Sequence, residues 1–126
     1  MKYKNKKTSV NVGGKLCKFD SKVEAERACY LNLLQRANEI YDLEFQPVYM
    51  LQEGFRRNGV KHRDIKYLAD FRYNQDGLIV VEDVKSPATL TPLYSVKKKM
   101  FLLRYGNDLI FKEVMKKRKS WEVKTI

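Results

Sequence analysis

Y-L-A-D-F-R-Y-N-Q-D-G-L-I-V-V-E-D-V-K-S, residues 67–86, is the stretch on which the reading of this chain turns. Two largely apolar runs, 67–73 and 78–84, flank Asn74-Gln75-Asp76-Gly77. Asp-Gly tolerates the positive φ angles of a tight hairpin turn, so the pattern predicts strand, turn, strand. Side chains alternate along a strand, which puts Val81, Asp83 and Lys85 on one face and Glu82 on the other. A short antiparallel connection then sets Asp70 beside Asp83, with Lys85 one step further along. Two carboxylates can hold a hard divalent cation, which activates water and stabilises charge on a phosphate. A lysine can position that water or offset developing charge. The same spacing also fits a plainer arrangement, three charged residues on the wet face of a hairpin.

Composition sets the frame around this stretch. A length of 126 residues fits one domain, 1–126, with a real core but no room for a second. The apolar and aromatic content is that of a globular chain. No run approaches the roughly 18 apolar residues of a membrane span. The basic start at 1–7 has no apolar segment after it, so no secretion signal is expected, only a mobile basic arm. Cys17 and Cys29 lack metal-like spacing and read as two reduced thiols in a cytoplasmic setting. Lys and Arg number 26 against 15 Asp and Glu, a net charge of +11, and a surface so basic attracts polyanions, nucleic acid first.

Upstream, Thr8–Val12 and Lys15–Phe19 flank Gly13-Gly14 and predict a short N-terminal hairpin. A first helix opens at Asp20 or Ser21, where Ser21 and Glu24 fit the capping box S-x-x-E, and runs to about Asn38. Val23, Arg27, Tyr30, Leu31, Leu34 and Ala37 mark its inward face. Glu24 is explained either as that cap or as a third acid projecting toward Asp70 and Asp83. Periodicity does not separate it from Glu26. Residues 40–51 read as a strand with a break or bulge at Pro47, which has no amide donor. Asn58-Gly59 marks a second hairpin, a basic β-ribbon carrying Arg56, Arg57, Lys61, His62, Arg63 and Lys66 that could lie along a phosphate backbone.

Downstream, Thr91 and Pro92 start a second helix and Gly106 stops it. Leu93, Val96, Met100 and Leu103 are its expected buried stripe; Lys97, Lys98, Lys99 and Arg104 form its basic outer surface. A strand at 108–114 and a short last one at 121–123, anchored by Trp121, complete the chain.

The order helix, three strands, helix, strand, with acids on the second and third strands, resembles the PD-(D/E)XK nuclease superfamily. Asp70, a spacer of twelve residues, and Asp83-Val84-Lys85 match its core motif, with Ala69 in place of the motif's proline. F-D-S-K-V-E-A-E at 19–26, L-E-F-Q-P at 43–47 and Y-L-A-D-F at 67–71 are similar to small phage-encoded endonucleases of this superfamily, some of which resolve Holliday junctions as dimers. The resemblance implies an α/β fold with a restriction-endonuclease-like core: helix, three-stranded antiparallel meander, helix, strand. It further implies a Mg²⁺- or Mn²⁺-dependent endodeoxyribonuclease, with one or two ions and no other cofactor. Asp70, Asp83 and the Val84 carbonyl would bind metal, Glu24 directly or through water, and Lys85 would act on the attacking water. DNA, branched duplex above all, and a second copy of the chain would be its partners, in the cytoplasm of a bacterial host. Arg56, Arg57, Lys61, Arg63, Lys66, Lys97, Lys98 and Lys99 would hold DNA without reading sequence. Two rival expectations stand beside it: a nuclease indifferent to DNA structure, and a non-catalytic basic module that binds nucleic acid.

Overall fold

The hairpin expected at 67–84 forms, but its first strand is broken where the site was expected. A computed structural model describes residues 7–126, so the arm at 1–7 lies outside the described residues except for Lys7. β1 (Thr8–Val12) and β2 (Lys15–Phe19) pair antiparallel about Gly13 and Gly14, both at positive φ. α1 (Lys22–Arg36) follows, with Ser21 as N-cap accepting the Glu24 amide at 3.1 Å. It ends in a left-handed residue, Asn38 at φ 61°, with the Asn38 amide donating to the Gln35 carbonyl and the Glu39 amide to the Leu34 carbonyl. That pairing satisfies carbonyls the helix would otherwise leave open.

β3 (Tyr41–Phe45) and β4 (Val48–Gln52) are separated at Gln46-Pro47, as the missing proline donor led one to expect. β5 (Phe55–Arg57) and β6 (Val60–His62) close around Asn58 and Gly59, at φ 51° and 78°, the angles of a hairpin turn. β7 (Ile65–Leu68) and β8 (Phe71–Gln75) replace the single strand expected at 67–73. The register explains the break. Phe45 faces Phe71 and Val48 faces Leu68, so the two pairs β3–β8 and β4–β7 belong to one long arm bent at a shared joint. Across the joint the Gln46 amide donates to the Asp70 carbonyl (2.9 Å) and the Ala69 amide to the Pro47 carbonyl (3.1 Å). Asp70 therefore sits at a kink, the kind of place where a sheet re-aims a side chain.

β9 (Leu78–Val84) returns antiparallel to β8 through Asp76-Gly77. A 3₁₀ turn at Pro87–Thr89 leads into α2 (Pro92–Tyr105), capped by Thr91. After a second 3₁₀ turn at Gly106–Asp108 the chain enters β10 (Ile110–Lys116), parallel to β9 and two residues later than expected. β11 (Trp121–Thr125) pairs antiparallel with β10 at the edge, giving the sheet order β11-β10-β9-β8-β3. The protein is thus mixed α/β, a mostly antiparallel sheet with two helices.

The sheet divides two cores. On one side Phe19, Ala25, Ala28, Leu31, Phe71 and Val80 pack between α1, the N-terminal hairpin and the sheet. On the other Tyr67, Val81, Tyr94, Phe101 and Phe111 pack under α2. Alternation along β9 decides which residue serves which core. Two inward faces differ from expectation. On α1, Arg27 and Leu31 are buried, but Tyr30 and Ala37 face outward, and Ala25 and Ala28 lie against the sheet instead. On α2 the stripe is rotated: Tyr94 and Phe101 are buried while Leu93, Val96 and Leu103 are exposed, Leu103 at 88%. α2 is apolar on two sides, and the side with the larger rings won the core because Phe101 and Tyr94 bury more area against Tyr67 and Phe111.

Candidate functional site

β8 and β9 meet at the kink. The Asp70 amide donates to the Glu82 carbonyl (3.1 Å), which places Asp70 alongside Asp83. Asp70 Oδ2 accepts the Val84 amide at 2.7 Å, and the carboxyl groups of Asp70 and Asp83 hydrogen-bond each other. Lys85 Nζ stands 3.7 Å from Asp83 Oδ2 and 3.7 Å from the centre of the Tyr94 ring, so its ammonium is held by a carboxylate and an aromatic face together. Its backbone amide donates to the Val114 carbonyl at 2.8 Å, tying the strand end to β10. The structure brings Asp70, Asp83 and Lys85 to one place, as the alternation required. The wet-face alternative is excluded for Asp83, which is 2% exposed.

Glu24 approaches from α1, beside Lys85. Only half of the expected capping box forms: Ser21 accepts the Glu24 amide, while the Glu24 carboxylate takes a backbone hydrogen bond at Asp20. Glu24 and Lys85 line one cavity of about 280 Å³ with Val84, Met115 and Lys116. Glu26, the alternative acid, pairs instead with Lys116 at 3.4 Å. Geometry therefore separates the two glutamates where periodicity could not.

The electrostatics are those of acids crowded together without enough positive charge. Burial pushes the Glu24 carboxyl up to about 7, helped by the charges of Asp20 and Asp83 and opposed by the Asp20 backbone hydrogen bond and by Lys85. Asp70 lies well above the usual carboxylate range because it is buried beside Asp83 and Glu24. Burial also raises Asp83, against the pull of Lys85 and of the Tyr67 hydroxyl. Among the described residues no three or more Asp, Glu, His or Cys side chains gather at metal-binding separation. The close pair is Asp70 and Asp83, with Glu24 acting on it through charge.

The sequence reading missed a supporting layer. The Tyr67 hydroxyl donates to Asp83 Oδ2, and Tyr94, packed against Tyr67, donates to Glu113 Oε2 at 2.6 Å. Lys98 Nζ donates to the same Glu113 oxygen at 3.0 Å. Lys98 is therefore half-buried and paired with a glutamate, where a free lysine on the outer surface of α2 was expected. Hairpin periodicity could have flagged Tyr67, two residues from Ala69 on the kinked strand, but nothing local in the sequence pairs Lys98 with Glu113.

The other expected nucleic-acid contacts lie apart from this centre. Arg56, Arg57, Lys61 and Arg63 are exposed on the ribbon, Lys66 is exposed and 3.7 Å from Asp64, Lys99 is exposed and Lys97 half-buried on α2. Cys17 and Cys29 are free and half-buried.

Residues 1–124 match a family described as protein of unknown function, DUF1064. The chain belongs to the DUF1064 family. No curated protein matches it. Among solved structures the crystal structure of SSO0001 is similar to this DUF1064 chain at 15% identity and a TM-score of 0.43, over 81% of this chain. The chain spans half the length of SSO0001. No helix among the described residues is long and apolar enough to cross a membrane.

Proposed function

We propose that this chain is a metal-dependent DNA endonuclease built on a restriction-endonuclease-like core. One observation carries the reading: Asp70 and Asp83 are held side by side at a strand kink, with Lys85 3.7 Å from Asp83 and too little positive charge around them. Two acids in contact, Asp83 buried and Asp70 half-buried, keep a proton between them or take up a cation, and an oxygen-ligand pair fits Mg²⁺ or Mn²⁺. Asp70 and Asp83 would hold the ion, with the Val84 carbonyl and Glu24 as further oxygens. The bound metal would activate water and stabilise charge on the phosphate. Lys85, steered by Asp83 and the Tyr94 ring, would orient that water. Tyr67 holds the Asp83 carboxylate in one orientation by donating to it. The exposed arginines and lysines of the ribbon would grip the DNA backbone, and a homodimer would have an apolar surface to close on in Leu93, Val96 and Leu103.

The test is digestion of a matched panel (linear duplex, fork, four-way junction, single strand, RNA) with Mg²⁺ or Mn²⁺. Cleavage of DNA that peaks on branched forms and disappears in Asp70→Ala and Asp83→Ala is the expected result. Full activity in either variant ends the assignment. A second reading has one observation in its favour: the acids already have internal partners in the Val84 amide, the Tyr67 hydroxyl and Lys85. On that reading the chain binds nucleic acid and does not cut it, and the wild-type protein leaves the whole panel intact.

A further inference from the structure

The ribbon is strongly basic, yet its two faces are different. In β5–β6, Phe55 faces His62, Arg56 faces Lys61, and Arg57 faces Val60. Period-two alternation therefore puts Phe55, His62, Arg57 and Val60 on one face, and Arg56 and Lys61 on the other. The Phe55 and His62 rings lie stacked, 4.8 Å apart and 17° from parallel. Phe55 is still 49% exposed and packs in neither core, and His62 is exposed beside it. A phenylalanine left in water at the base of a ribbon contributes little to folding, whereas its free ring face is a stacking surface.

Charge around this pair favours a polyanion. Residues 54–63 contain no acid, and Arg56, Arg57, Lys61 and Arg63 form no ion pair among the described residues. A side chain at Gly54 would come within 2.8 Å of the His62 carbonyl and 3.0 Å of the Asp64 amide, so glycine lets the two strands close at the ribbon base. Below that base the same arm carries Tyr67, which donates to Asp83. The Phe55–His62 pair and the acidic site are two points on one bent hairpin.

We propose that Phe55 and His62 form a stacking platform for an unpaired nucleobase, so that the ribbon binds DNA where a base has left the duplex stack. This rests on the reading that the chain binds DNA, and it deepens it by naming the substrate class: strands with splayed or single-stranded bases. The platform supplies base stacking indifferent to sequence, and the four free cations bind the flanking phosphates. Uniform duplex offers the phosphates but no ring.

The experiment uses the full chain in EDTA, so that cleavage plays no part. A duplex with a single-stranded tail carries 2-aminopurine in the tail, and a blunt duplex of equal charge serves for comparison. Binding should quench the 2-aminopurine fluorescence through stacking. Phe55→Ala should abolish the quenching and weaken binding to the tailed DNA about tenfold or more, with blunt-duplex affinity nearly unchanged. Phe55→Trp should restore both. Because Phe55 is exposed, thermal unfolding should show the variants folded. Unchanged quenching and affinity in Phe55→Ala overturn the platform while leaving DNA binding in place. Failure of the wild-type chain to bind either DNA overturns the DNA reading itself, and the platform with it.

Discussion

Glu82 and Asp83 are neighbours on β9 and both are shut away from water, at 0% and 2% exposure, but they live in opposite kinds of surroundings. Glu82 points toward α1, where Arg27 grips both its oxygens at 2.8 and 2.9 Å and Tyr73 donates a further hydrogen bond. Arg27 is itself held over the rings of Tyr30 and Trp121, 5.0 and 5.1 Å from their centres. One negative charge meets one positive charge, with every strong acceptor occupied. Asp83 points the other way, beside a second acid and near a single lysine at 3.7 Å. A strand that buries two consecutive acids has balanced one and left the other short of positive charge. The balanced acid is explained by structure; the unbalanced one is where the proposed cation would bind.

The comparison breaks most readily at Arg27. Removing one partner of a buried pair leaves an uncompensated charge, at a cost of about 3–5 kcal/mol. Arg27→Met should therefore lower the urea midpoint sharply, and adding Glu82→Leu should recover most of the loss. Asp83→Asn, one residue along, should do the opposite in EDTA: relieving the repulsion at Asp70 should leave stability unchanged or raise it, while metal-dependent cleavage disappears. A loss of several kcal/mol in Asp83→Asn would mean that both acids are structural.

A cation should supply what the Asp83 side lacks. If Mn²⁺ binds the folded chain alone, then at a concentration a hundredfold above its dissociation constant it adds about 2.7 kcal/mol of stability. Calorimetry should show the melting temperature rising by several degrees in wild type and not at all in Asp83→Asn. Arg27→Met, although weaker overall, should keep the full increment because its damage is on the other face. An increment that survives in Asp83→Asn would place the metal elsewhere.

The legible parts of this molecule are those governed by local rules. Turn chemistry at Asp76-Gly77 and Asn58-Gly59, the caps at Ser21 and Thr91, and alternation at 82–83 each depend on a few adjacent residues, and each reads correctly. The kink at Asp70 was only half legible. Pro47 announced it on one strand, but its partner across the joint is Ala69-Asp70, which carries no breaking residue. The inward face of α2 was misread because Leu93, Val96 and Leu103 repeat as regularly as Tyr94 and Phe101. Which row wins depends on rings contributed by β7 and β10, far away in sequence. The pairing of Lys98 was illegible for the same reason: its partner Glu113 lies fifteen residues on, in a strand brought beside it only by the parallel crossover.

The pH dependence sharpens the contrast at a smaller scale. Glu24 rises to about 7 in the folded protein from an ordinary value of 4.5, first by burial and then by the charges of Asp20 and Asp83. Between those values the folded chain holds a proton that the unfolded chain has released. Stability in EDTA should therefore be highest at and below about pH 4.5 as far as this group is concerned, and fall as pH rises toward 7. Asp70 and Asp83, shifted in the same direction, add to the slope. Glu24→Gln should make the slope shallower, and saturating Mn²⁺ should reverse it, because metal binds the deprotonated acids. A pH profile with Mn²⁺ that matches the one in EDTA would separate these acids from any metal role.

Glu26 gives the smallest expected effect and the cleanest control. It lies two residues from Glu24, on the same helix, and sequence periodicity offers it equally as the third acid. Its carboxylate instead meets Lys116 at 3.4 Å, with both side chains partly in water. Such a pair contributes between nothing and about 1 kcal/mol, less as salt rises. Glu26→Gln should shift the unfolding midpoint by no more than that and leave DNA cleavage at the wild-type rate. Glu24→Gln retains the Ser21 cap, since that bond uses the Glu24 amide, yet should lose most cleavage because the charge facing Asp70 and Asp83 is gone. Measured side by side as turnover per folded molecule, the two variants separate proximity in sequence from proximity to the acids. A larger loss in Glu26→Gln would move the third acid to the Lys116 side of α1 and detach Glu24 from the site.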